Sequence, residues 1–88
     1  STASFFRIAT SVGAGIDITG IAAGVDGRQI VVCNIGANNI TLKHQDGNSL
    51  VANRFQMPGG GDITLGPDGT ATLIYDATSG FWRLVSTN

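Results

Sequence analysis

One stretch of the chain gathers side chains able to move a proton. His44, Asp46 and Asn48 lie at alternate positions, interleaved with Gln45 and Gly47. An imidazole beside a carboxylate can act as an acid or base, and a third polar group can orient either one. A hydrolytic centre also needs a nucleophile, and no Ser or Cys is tied to this pair by a spacing of known chemistry. His44 also continues the face of Ile40 and Leu42, so it reads as the margin of a buried strand. The expectation is that His44, Asp46 and Asn48 form no catalytic or metal site.

The remaining candidates are weighed in the same way. One His, one Cys and no Glu leave no Cys-x-x-Cys or His pair for a metal. No two of the six aspartates fit a calcium loop, and Asp26, Asp46 and Asp68 each precede a Gly, which marks turns. Gly59-Gly60-Gly61 lacks the following Lys-Ser/Thr and helix of a phosphate loop, and reads as a flexible connection. No cofactor is expected. Arg54, alone between Asn53 and Phe55, reads as a structural clamp on backbone or a carboxylate. Tyr75, Phe81 and Trp82 flank one hairpin. Exposed aromatics could stack on the C–H face of a sugar, whereas buried ones would belong to the core or a subunit interface. Tyr75 and Trp82 are carried forward under both readings. Cys33, inside an apolar run, is expected to be a buried, unpaired thiol.

The elements that must position these groups are strands. Ile30-Val31-Val32-Cys33 is an apolar run, the breakers Gly36-Ala37-Asn38-Asn39 follow, and Ile40, Leu42 and His44 then alternate with Thr41 and Lys43. Period two on both sides of a Gly/Asn cluster predicts a β-hairpin. Residues 5–9, 16–19, 62–65, 70–76 and 81–86 read as further strands, separated by Asp26-Gly27, Gly13-Ala14-Gly15, Pro67-Asp68-Gly69 and Thr78-Ser79-Gly80. Residues 50–53 can form one helical turn, with Asn48 or Ser49 as its N-cap, but no helix. The pattern predicts an all-β sandwich or jelly roll of seven or eight short antiparallel strands. A single domain spans residues 1–88, with residues 1–4 frayed or part of a linker, and no internal repeat is visible.

Composition narrows the function classes. Five basic and six acidic residues are scattered singly, so no basic stripe points to nucleic acid. No apolar run is long enough for a membrane span. Without an initiating Met or a signal-like segment, the chain is expected to be a piece of something longer. A small core with no disulfide or metal favours a partner chain. The run at residues 30–33 is apolar on both faces, so Val31 or Val32, whichever faces outward, is the candidate oligomer interface.

Several pieces now stand in a familiar order. Gly27-Arg28 leads an apolar strand to Asn34-x-Gly36, and Asn39-Ile40-Thr41-Leu42 follows. Then come Ser49-x-x-Ala52-Asn53-Arg54-Phe55, a Gly-Pro-Asp-Gly turn, and Leu73-x-Tyr75-Asp76 to Gly80-x-Trp82-Arg83. Over about residues 27–86 this resembles a small β-domain at the ends of bacteriophage fibre and virion-surface proteins. The resemblance implies a jelly-roll-like homotrimer on the virion surface, in a capsid or tail fibre. Its partners would be larger fibre or virion proteins, with contact to a host surface glycan as a further expectation. It implies no catalytic residues, and structural roles for Arg54 and Trp82. The alternative from a different class is a small carbohydrate-binding, lectin-like module holding its sugar at Tyr75 and Trp82. An enzyme is not expected.

Overall fold

The computed structural model describes residues 3–9, 15–22 and 24–88. Its strands are β1 (Ala3–Ile8), β2 (Ile16–Ile18), β3 (Gln29–Asn34), β4 (Ile40–Leu42), β5 (Phe55–Gln56), β6 (Ile63–Leu65), β7 (Thr70–Asp76) and β8 (Phe81–Thr87). They form a five-stranded sheet in the order β1-β3-β7-β8-β5 and a three-stranded sheet in the order β2-β4-β6. Single 3-10 turns at Val51–Asn53 and Pro58–Gly60 are the helical content among the described residues. The all-β, sandwich-like class predicted from alternation is the observed one.

Alternation also decides what is buried. On β7, Ala71, Leu73 and Tyr75 point inward while Thr72 and Ile74 point away. On β3, Ile30, Val32 and Asn34 are inward, and on β4, Ile40 and Leu42. With Phe55, Met57, Leu65 and Trp82 these side chains fill one core between the two sheets. Val32 is fully buried there, so only Val31 faces out of the sandwich. Cys33 corrects its expectation. It is half-buried on the outward side of β3, because a run apolar on both faces does not reveal which parity points in.

Two further expectations are corrected. β3 and β4 do not form a hairpin: they belong to different sheets, and residues 35–39 turn the corner between them. Each strand buries one face in the same core from opposite sides, a relation that periodicity alone cannot distinguish from pairing. Nor is the pairing antiparallel throughout. β1 pairs with β3, β2 with β4, and β5 with β8 in parallel, while β3–β7, β4–β6 and β7–β8 are antiparallel.

The parallel pairs reveal a repetition that the sequence hides. β1 leads to β2 in the other sheet as β3 leads to β4, and the two β-arches stack strand on strand. Backbone bonds join them, from Ile35 N–H to Ile8 C=O and from Ile16 N–H to Asn39 C=O. At Gly15 and Gly36 the stacked arches leave no room for a side chain. A Cβ on Gly15 would stand 2.8 Å from the Asn39 carbonyl oxygen, and one on Gly36 would stand 3.2 Å from the Ala9 Cβ.

The turn at Val51–Asn53 forms where expected, but Leu50 precedes it and no side chain caps it. Asp26-Gly27 turns as expected, with Gly27 at φ 80° and Arg28 N–H bonded to Val25 C=O. Ala3 and Ser4, expected to be frayed, lie within β1. The break expected at Gly13-Ala14 lies outside the described residues.

Candidate functional site

His44 sits where the chain leaves β4. Its backbone N–H donates to Asp62 Oδ1 at 2.8 Å, and its ring Nδ1 accepts from Met57 N–H at 3.0 Å. The imidazole therefore anchors the segment after β5. Gln45 adopts a left-handed φ of 45° and carries the chain away. Asp46 Oδ1 accepts from Asn48 N–H at 2.8 Å, closing a local turn of its own. The His44 ring and the Asp46 carboxylate thus engage separate backbone groups. Among the described residues no three His, Cys or Asp side chains are placed to hold a metal ion.

Two carboxylates have shifted acidities. Lys43 Nζ lies 2.8 Å from Asp62 Oδ2. Its hydrogen bond, followed by that from the His44 backbone, holds the Asp62 carboxyl below the usual carboxylate range, and the same bond raises the Lys43 ammonium. Arg83 Nε lies 2.9 Å from Asp76 Oδ2, and with Ser79 it lowers the Asp76 carboxyl likewise. Both pairs lie at the surface: Asp76–Arg83 braces the β7–β8 turn, and Lys43–Asp62 joins the ends of β4 and β6.

The aromatic pair is internal. Trp82 is fully buried and Tyr75 is 7% exposed; their ring centroids are 5.1 Å apart at an interplanar angle of 74°, an edge-to-face packing. Trp82 Nε1 donates to Ile21 C=O at 2.8 Å and Tyr75 Oη to Ala52 C=O at 2.8 Å. Each polar handle fastens a neighbouring loop, and neither ring offers a face to a sugar. Phe81, half-buried, lies opposite Asp76 on the outward side of the sheet. Arg54 Nε donates to Ser49 C=O at 3.0 Å, a backbone contact across the 3-10 turn.

The chain matches no family model, no curated protein and no solved structure.

Asn34, which the sequence marks only as the residue before a turn, is a polar side chain buried in the core. It is fully buried, and its Nδ2 donates to Asn38 C=O at 2.8 Å and Leu65 C=O at 2.9 Å, while Oδ1 accepts from Gly36 N–H at 3.0 Å. Its backbone binds Gly69 and Asp68. The side chain thus ties the β3–β4 corner to the end of β6, and the backbone of the same residue ties it to the Gly-Pro-Asp-Gly turn. The available signal was a polar residue continuing the inward parity of Ile30 and Val32. No buried side-chain nitrogen or oxygen among the described residues lacks a partner.

The two outer faces differ in chemistry. Outward positions of the three-stranded sheet carry Asp17, Thr41 and Thr64, with the Lys43–Asp62 pair alongside. Those of the five-stranded sheet mix Val31, Cys33, Ile74 and Phe81, all half-buried, with Gln29, Thr72, Asp76 and Arg83. No described helix is long and apolar enough to cross a membrane.

Proposed function

We propose that the chain is a non-enzymatic structural module of a bacteriophage virion surface, in a capsid or tail fibre, working as a homotrimer beside larger virion proteins. The observation that carries self-association is the contrast between the outer faces. A sheet facing water alternates apolar-in with polar-out, as β2, β4 and β6 do, whereas β3, β7 and β8 present Val31, Ile74 and Phe81 outward among Gln29, Thr72, Asp76 and Arg83. Covering that face with further copies removes apolar area worth about 25 cal/mol per Å². A repeated surface patch closes into a ring, and the number three and the phage setting come from the resemblance of residues 27–86. The His44 ring and the Asp46 carboxylate are engaged with backbone, which agrees with a structural role.

Native mass spectrometry of the domain tests the reading. The expected result is a trimer that Val31→Asp splits into folded monomers. A wild-type chain that sediments as a stable monomer at micromolar concentration would end the reading.

A further inference from the structure

Three Asp-Gly pairs stand in loops: Asp26-Gly27, Asp46-Gly47 and Asp68-Gly69. Such a pair is self-reactive, because the glycine nitrogen, with no side chain beside it, can reach the aspartate Cγ. The nitrogen and the carboxyl must move together, so bonds that hold either one suppress the reaction. Two of the pairs are held. Gly27 N–H donates to Tyr75 C=O at 2.9 Å while Asp26 Oδ1 accepts from Ala77 N–H at 2.9 Å, so the two groups serve separate partners. Gly69 N–H donates to Gly66 C=O at 2.9 Å and Asp68 N–H to Asn34 C=O at 2.7 Å. Asp46-Gly47 differs. Gly47 is exposed, its N–H has no hydrogen-bond partner among the described residues, and no atom beyond its chain neighbours lies within 4 Å of where a Cβ would stand. The Asp46 carboxyl is folded onto the same turn, its Oδ1 accepting at 2.8 Å from Asn48 N–H, the next amide after that of Gly47.

We propose that Asp46 is a self-modification site, at which the folded chain converts aspartate to isoaspartate ahead of the other two pairs. The Gly47 nitrogen attacks Asp46 Cγ. The N–Cγ bond forms as the Cγ–OH bond breaks, and the amide hydrogen leaves with that hydroxyl as water. Water then adds to either carbonyl of the five-membered succinimide and cleaves its bond to nitrogen, returning aspartate or giving isoaspartate. Water is the only co-reactant, and nothing is oxidised or reduced. Isoaspartate routes the main chain through the side-chain carbon and lengthens it by one atom. The turn that receives this atom is closed by Ser49 N–H on Asp46 C=O at 3.2 Å and held by Arg54 Nε on Ser49 C=O at 3.0 Å. The change therefore falls between the His44 anchor and the Arg54 clamp. The reaction needs no partner chain, so it stands apart from the self-association proposed above.

Peptide mapping tests the site, because trypsin places the three pairs in separate peptides, residues 8–28, 44–54 and 55–83. The folded chain is kept warm in mildly acidic heavy-oxygen water, returned to ordinary water and digested. Each passage through the succinimide leaves one heavy oxygen, and electron-transfer fragmentation locates the isoaspartate. Both are expected to accumulate at Asp46 at least about tenfold faster than at Asp26 or Asp68, each of which must first break ordered bonds. In denaturant the three rates are expected to converge. Asp46→Glu closes no five-membered ring and is expected to abolish the signal at residue 46. Gly47→Ala, which the open space admits, is expected to slow it by shielding the nitrogen. Rates alike at the three aspartates of the folded chain, or no isoaspartate at Asp46, would overturn the proposal whatever the variants do.

Discussion

Asn34 shows how one buried polar side chain can set a corner. Its amide donates twice and accepts once, so truncation strands the carbonyls of Leu65 and Asn38 and the N–H of Gly36. An unsatisfied buried group costs about 1–3 kcal/mol. Asn34→Ala is therefore expected to destabilise the fold by about 2–4 kcal/mol, lowering Tm by roughly 10–20 °C in a domain of this size. Chemical denaturation with an unchanged m-value would check it. Gly24 supplies a second residue-scale test, because a Cβ there would overlap the Tyr75 ring. Gly24→Ala is expected to cost about 1–3 kcal/mol through overpacking, and to alter the near-ultraviolet circular dichroism of the Tyr75–Trp82 pair. Cys33, half-buried on the outer side of β3, is expected to react with a small thiol reagent more slowly than in the denatured chain yet measurably in the native state.

At the scale of elements, the turns and strand ends are braced by carboxylates. Asp76 holds Arg83 across the β7–β8 turn and accepts from the N–H groups of Thr78 and Ser79. Its carboxyl, like that of Asp62, is acidified in the folded state. A depressed folded value means that the stabilisation is present above the unfolded value of about 3.9 and is lost as pH falls through the folded one. Stability from these two groups should thus be level near neutrality and decline below about pH 4. Asp76→Asn should lower Tm at pH 7, with the gap to the wild type closing toward acid. A gap independent of pH would contradict this account. Strand identity was legible at this scale: residues 70–76 and 81–86 alternate, and their inward side chains Leu73, Tyr75 and Trp82 are the buried ones. Partner identity was not legible, because alternation reports a buried face and carries no record of which strand lies beside it.

For the whole molecule, size alone does not demand a partner. The accessible surface of 4763 Å² is close to the value of about 4,850 Å² expected for a monomeric protein of 9.0 kDa. Self-association is favoured instead by where apolar groups lie, with Val31, Ile74 and Phe81 on one outer face. Val31→Asp is expected to abolish assembly at micromolar concentration while leaving the far-ultraviolet spectrum of the strands intact.

The all-β class, most strand positions and the Asp26-Gly27 turn were determined by the sequence itself. Each depends on interactions a few residues apart: side-chain alternation, glycine at positive φ, and the absence of a helical stripe. The division of β3 and β4 between two sheets was decided only in three dimensions, as were the parallel stacking of the arches and the burial of Val32 in place of Cys33. So were the roles of His44, Trp82 and Asn34 as anchors of distant backbone. Met57, Ile21 and Leu65, which bind those side chains, lie 13, 61 and 31 residues away along the chain. No local pattern records a contact at that separation; packing around one shared core creates it.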